Sequence, residues 1–255
     1  MNISGVGAIV TGGGSGLGAA TARHLARLGA KVAVLDRDEE KARGLADELD
    51  ARAFAVDVGD QASVKTAVEQ AVAYFGSPPR ILVNCAGIGL SARIVGRDGA
   101  LALDVLERTM RVNFFGTYFM MSHCAKAMFE LTTLGDDGER GVIINTASVA
   151  VEDGQLGQAA YAASKGAIAA LCLPAAREFA RSGIRVMTIA PGLFQTAMTE
   201  TLSEEVKQKI AASIPFPSRL GHAEEYAKTV EHIIQNAYLN GTTIRLDGAV
   251  RLPPR

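Results

Sequence analysis

Val6-Gly7-Ala8-Ile9-Val10-Thr11-Gly12-Gly13-Gly14-Ser15-Gly16-Leu17-Gly18 decides the fold class. The opening apolar run is short and bounded by turn residues, as suits a strand buried in a parallel sheet. Ala19 to Leu28 then carries helical patterning. In that setting a glycine-rich turn lets the backbone approach a pyrophosphate, whose charge is met by the amides and dipole of the helix N-terminus. Gly12, Gly16 and Gly18 follow GxxxGxG spacing rather than the usual GxGxxG, which points to a variant of the dinucleotide fold. The plain alternative is a tight turn with no ligand.

Lys31-Val32-Ala33-Val34-Leu35-Asp36 reads as the next strand and ends in a carboxylate eighteen residues past Gly18. An acid there accepts hydrogen bonds from the adenosine ribose and repels a 2′-phosphate, so NAD is expected over NADP. Arg37, directly after it, is the residue that would favour the phosphate. The alternation continues with a helix over 38–49, a strand over 51–56 closing on Asp57 and Val58, and a helix over 60–75 capped by Asp60. Ile81 to Asn84 is a fourth strand running into Cys85-Ala86-Gly87. Small residues there would admit a cofactor, and Asp57 could meet the adenine ring; each place could equally be a plain turn.

Residues 88–103 show little periodicity and read as a surface insertion. Asp104 is expected to cap a long helix to about Leu134, with Asn113 in its interior, where propensity disfavours it. Gly141 to Ser148 is the fifth strand and puts Ser148 at the sheet edge where open parallel sheets bind ligands. The next helix bears Tyr161 and Lys165 and runs to Arg181, bent at Pro174. Ile184 to Ile189 is the sixth strand, stopped by Ala190-Pro191-Gly192. Residues 193–220 hold two weak helical pieces and the Pro-rich Ile214-Pro215-Phe216-Pro217, a lid over a site. A helix over 223–236 and a strand over 242–246 complete the pattern.

Tyr161 and Lys165 are four residues apart in Ala-rich sequence, so they share a helix face. A unit positive charge about 4 Å from a phenol is worth ~4 kcal/mol in a partly screened site, enough to bring an ordinary value near ~10 toward neutrality while desolvation opposes it. A phenol so placed is a candidate general base. The same pair also arises by chance in many helices.

The composition bounds the rest. With 255 residues, 21% charged and a net charge of -1, the chain has no basic excess to neutralise phosphates, so a nucleic-acid partner is not expected. No uninterrupted apolar run reaches the ~18 residues of a membrane span, and the start leaves no room for a signal peptide, so the expected location is the cytoplasm with no membrane partner. Cys85, Cys124 and Cys172 are odd in number and far apart, reading as reduced thiols. The four histidines lack ligand spacing, so no metal site is expected.

Taken together, Thr11-Gly12-x-x-x-Gly16-x-Gly18, Asn84-x-Ala86-Gly87, Asn113, Ser148, Tyr161-x-x-x-Lys165 and Pro191-Gly192 resemble the short-chain dehydrogenase/reductase family over essentially the whole chain. Residues 141–150, 185–194, 214–221 and 239–249 are similar to its type-2 3-hydroxyacyl-CoA dehydrogenases, a group also called 17-beta-hydroxysteroid dehydrogenase type 10. The resemblance implies a single α/β domain over 1–255, a Rossmann-type doubly wound parallel sheet of seven strands with helices on both faces, and assembly as a homotetramer. It implies Tyr161 as the acid/base, Lys165 as the group that lowers its pKa and holds the nicotinamide ribose, Ser148 as partner of the substrate oxygen, and Asn113 as support for a water-linked proton path. Ser15, Leu17, Asp36, Asp57, Val58, Cys85, Phe194 and Thr196 match NAD-contacting positions of that family. Residues 88–103 and 195–213, which shape the acyl pocket, match the type-2 group less closely.

The expected reaction is NAD-dependent oxidation of a 3-hydroxyacyl-CoA to a 3-oxoacyl-CoA. Alternatives are an acyl-carrier-protein-linked 3-oxoacyl reductase, which Asp36 argues against, a steroid or small-alcohol dehydrogenase, and a dinucleotide-binding sensor without activity, which would not require Asn113, Ser148, Tyr161 and Lys165 together.

Overall fold

The computed structural model describes residues 1–195 and 204–254. Seven parallel strands form one sheet in the order β3-β2-β1-β4-β5-β6-β7. They are β1 (Gly7–Thr11), β2 (Lys31–Asp36), β3 (Arg52–Ala55), β4 (Ile81–Asn84), β5 (Gly141–Thr146), β6 (Ile184–Pro191) and β7 (Thr243–Leu246). The helices between them are α1 (Gly16–Arg27), α2 (Glu39–Glu48), α3 (Gln61–Phe75), α4 (Leu103–Met110), α5 (Gly116–Met128), α6 (Ala159–Phe179), α7 (Glu204–Ala212) and α8 (Ala223–Gln235). The doubly wound α/β expectation therefore holds, with most strand and helix ends moving by one to three residues.

Successive strand residues feed opposite faces, as a period of two requires. Ala8, Val10, Val32 and Val34 join one core with Leu25 of α1 and Tyr226 of α8. Ile9, Ala33 and Leu35 join the other, against Val64 of α3, Met120 of α5 and Cys172 of α6. Because β1, β4, β5 and β6 are buried throughout, they read in sequence as apolar runs rather than alternations.

The chain changes winding direction between β1 and β4, which are neighbours in the sheet. A crevice opens off the carboxyl ends of strands at such a point. Asp60 caps α3 as expected, accepting from the amides of Ala62 and Ser63.

The long helix expected from Asp104 to Leu134 differs in three ways. Ala102 occupies the N-cap and Asp104 lies inside the first turn, where its charge still suits the helix dipole. The helix is interrupted by a π-helical turn over Arg111–Phe115, and regular helix ends at Met128. Widened turns of this kind accumulate at functional sites, and this one carries Asn113. β5 stops at Thr146, leaving Ser148 as the extended N-cap of a 3-10 turn over Val149–Val151.

α6 continues through Pro174. The stretch Ala159–Ser182 is long and apolar enough to cross a membrane by length and composition alone; here it packs Ile168, Cys172, Ala175 and Ala176 into the protein core.

Candidate active site

β4, β5 and α6 bring Gly87, Thr146, Ser148, Tyr161 and Lys165 into the wall of one cleft. Pro191, Gly192 and Phe194, delivered by the end of β6, close its far side. A second cleft runs alongside, lined by Gly12, Ser15, Gly16, Leu17, Gly18, Asp36, Asp57, Val58 and Ala86. Leu17, Cys85, Gly87 and Ile88 belong to both, so the two form one continuous groove across the sheet edge. Thr196 lies outside the described residues.

The glycine turn fits an extended anion. A side chain at Gly18 would place its Cβ 2.2 Å from the Gly12 carbonyl oxygen, and one at Gly12, where φ is 64°, would meet the Ala86 nitrogen at 2.8 Å. Only glycine permits that approach of turn, helix and β4 loop. Ser15 is the extended N-cap of α1 but makes no side-chain cap, and no acidic residue occupies the first turn, so its leading amides face the groove without a competing carboxylate. At the far end, Asp36 is held by two backbone amides, Gly14 N to Oδ2 at 2.9 Å and Asp38 N to Oδ1 at 2.9 Å. Arg37 lines the same cleft.

Asn84 is placed differently from expectation. It is buried, it lines neither cleft, and its Nδ2 donates to Asn145 Oδ1 at 2.9 Å across paired positions of β4 and β5. It therefore braces the two strands, its side chain sharing a sheet face with that of its pair Asn145, while the residues just after the strand line the cleft.

Ser148 Oγ accepts from the Ala150 amide at 3.1 Å. Burial pushes the Tyr161 phenol above its ordinary value, and a side-chain hydrogen bond with Ser148 opposes this. Lys165 is 4% exposed, and burial pulls its ammonium down to about 8. Its Nζ donates to the Thr146 carbonyl at 2.8 Å and lies 5.9 Å from the centroid of the Tyr161 ring. The Lys165 amine turns to the Thr146 carbonyl, while burial is the largest influence on the phenol and Ser148 is the partner that opposes it. Four-residue spacing fixes the shared face, but a carbonyl at the end of β5 decides where the amine reaches.

Asn113 is fully buried, and its carboxamide is engaged. Oδ1 accepts from Ile88 N at 2.8 Å, while Nδ2 donates to Ile88 O at 3.0 Å and to Ser164 Oγ at 2.9 Å. The π-turn is therefore tied both to the loop after β4 and to the helix bearing the tyrosine. Gly87 sits between, since a Cβ there would be 3.2 Å from Asn113 Oδ1 and 3.4 Å from Lys165 Nζ. Leu90, from the 88–103 segment expected to shape the pocket, lines the cleft, and sequence reasoning missed Gln155, Gln158 and Leu252, which line it too; their places depend on long-range packing that no local motif records.

A family model described as short chain dehydrogenase matches residues 7–207. The chain is 45% identical to 3-hydroxyacyl-CoA dehydrogenase type-2 of Bos taurus over 99% of its own length and 98% of that protein's, and 44% identical to the Homo sapiens protein of the same name over 99% and 98%. The crystal structure of 3-hydroxyacyl-CoA dehydrogenase type-2 from Mycobacterium avium superposes with a TM-score of 0.92 at 40% identity, covering 98% of each chain. A groove built on the glycine turn, a Tyr and Lys one helical turn apart beside it, and this match over most of the length agree: the chain belongs to the short-chain dehydrogenase family.

Proposed function

We propose that the protein oxidises a secondary alcohol to a ketone with NAD, the substrate being a 3-hydroxyacyl-CoA thioester and the product the 3-oxoacyl-CoA, a step of fatty-acid metabolism. The observation that carries this reading is the joining of two clefts through Leu17, Cys85, Gly87 and Ile88, which sets Tyr161 and Ser148 at the end of a dinucleotide-shaped groove. The names of the similar proteins support the substrate class.

The 12–18 turn, Asp36 and the 85–87 loop would hold NAD, which would supply the hydride acceptor. Ser148 holds the alcohol oxygen, and Tyr161 accepts its proton. Lys165, anchored to the Thr146 carbonyl with its Nζ 5.9 Å from the centroid of the Tyr161 ring, contributes positive charge near the phenol and hydrogen-bond donors to a ribose. Asn113 is a positioning residue whose carboxamide fixes loop 87–88 and Ser164; we assign the proton path from Lys165 toward solvent to this side of the cleft. Asp36 supports NAD over NADP, since a fixed carboxylate would face a 2′-phosphate.

We further propose a homotetramer located in the cytoplasm. Phe115, Tyr118 and Phe129 lie on or beside α5 and remain 41%, 46% and 44% exposed, apolar area that a second copy would cover. The free thiols Cys85, Cys124 and Cys172 accord with a reducing compartment. Sedimentation velocity and cell fractionation test these two points.

The reaction is tested by the absorbance of reduced nicotinamide on mixing the protein with NAD and a 3-hydroxyacyl-CoA. Parallel arms use a steroid alcohol with NAD, and a 3-oxoacyl substrate on acyl carrier protein with NADPH. Turnover in the first arm well above the others is expected; turnover confined to either of the others overturns the substrate assignment.

A further inference from the structure

The segment following β7 comes back across the substrate side of the groove. Leu252 lines the same cleft as Ser148 and Tyr161. It also packs into a small apolar cluster built on Ile214, Leu220 and Val250 and joined by Leu193 and Ile210. Leu252 is thus the point where this segment meets Leu193, Ile210, Ile214 and Leu220 of the chain that follows β6.

Its course is fixed at both ends. Near β7, Arg245 donates to Asp153 Oδ2 at 2.8 Å and to the Val250 carbonyl at 3.2 Å. Farther on, Gln155 Nε2 donates to the Pro253 carbonyl at 3.0 Å, and the Leu156 amide donates to the Pro254 carbonyl at 3.0 Å. Gln155 is in turn locked to Gln158 by two hydrogen bonds of 3.2 Å, its amide to Gln158 Oε1 and Gln158 Nε2 to its Oε1. A half-buried leucine whose backbone is strapped down on either side forms a wall, because that backbone can withdraw from a ligand only by breaking those hydrogen bonds.

We infer that Leu252 determines how long a carbon chain the cleft accepts, with Gln155 as the latch that holds it there. This rests on the reading of the substrate as a 3-hydroxyacyl thioester. A chain extending from the carbon held at Ser148 and Tyr161 needs an apolar surface, and discrimination in such a pocket runs at about 10-fold or more per methylene that fits or clashes.

The test measures kcat/KM for a homologous series of 3-hydroxyacyl-CoA thioesters of increasing length, with NAD. Leu252→Ala is expected to raise the ratio of long-chain to short-chain kcat/KM by at least ~10-fold, chiefly through KM, while NAD affinity stays unchanged. Leu252→Phe is expected to move the optimum toward shorter chains. Gln155→Ala is expected to broaden the profile in the same direction as Leu252→Ala, with a smaller effect. Folded Leu252→Ala and Leu252→Phe enzymes that keep the wild-type length profile overturn the inference and leave the reaction intact. If Leu252→Phe does not fold, Leu252→Ala and Leu252→Met decide the matter. A wild type inactive on every member of the series overturns the reaction assignment and this inference with it.

Discussion

The Lys165 ammonium lies 5.9 Å from the centroid of the Tyr161 ring and gives a 2.8 Å hydrogen bond to the Thr146 carbonyl. Burial raises the phenol's pKa, and the hydrogen bond with Ser148 draws it down. The ionised fraction of a phenol whose pKa is held above the ordinary value grows about tenfold per pH unit below that pKa and levels off only above it. kcat/KM for alcohol oxidation should therefore climb through the neutral and mildly alkaline range. Ser148→Ala should lower the rate and also shift the rising limb to higher pH, because the group that stabilises the phenolate is gone. A limb that stays in place in the variant would separate Ser148 from the ionisation of Tyr161.

Lys165 carries a folding penalty of its own. Burial lowers its pKa from 10.5 to about 8. Between those values the unfolded chain binds a proton that the folded chain does not, so this group makes stability rise with pH there and imposes its full cost below about 8. Lys165→Met should be inactive yet melt no lower than wild type at neutral pH, and the difference should shrink as pH climbs toward 10.5. Thermal unfolding of both proteins across that range checks it; a variant much less stable at neutral pH would show that the bond to Thr146 outweighs desolvation.

Asp36 is oriented by Gly14 and Asp38 before any nucleotide arrives. Hydrogen bonds to a charged group contribute about 1.5–3 kcal/mol, so Asp36→Ala should cut the kcat/KM preference for NAD over NADP by roughly 10- to 100-fold. Steady-state kinetics with both nucleotides measures the ratio. A wild type that already uses NADP equally well would contradict the assignment of Asp36 to the ribose.

Gly18 leaves no room for a methyl group, since its Cβ would sit 2.2 Å from the Gly12 oxygen. Gly18→Ala should push the turn and α1 apart, costing about 1–3 kcal/mol of stability and weakening nucleotide binding. Calorimetric melting and titration with NAD test both parts, and an unperturbed affinity would remove the 12–18 turn from the binding site.

How much of this was legible beforehand follows from range. The glycine turn, the Asp36 carboxylate and the Tyr161–Lys165 pair are local patterns, and the structure places each where its spacing implies. Asn113 reads in sequence as a misfit in a helix, but the π-turn that explains it is a backbone event with no side-chain signature. Asn84 looked like a groove residue because it precedes Cys85-Ala86-Gly87, yet register across β4 and β5 pairs it with Asn145. The amine's reach to Thr146, and the return of Leu252 to the cleft, depend on chain segments far apart in sequence. Short-range periodicity carries no information about either.

Tyr161→Phe removes one oxygen and leaves the ring. Enzyme carrying it should bind NAD as wild type does in a fluorescence titration while oxidising 3-hydroxyacyl-CoA at least ~10²-fold more slowly, the least that a positioned general base contributes. Near wild-type turnover with the phenol gone would contradict the account at its centre.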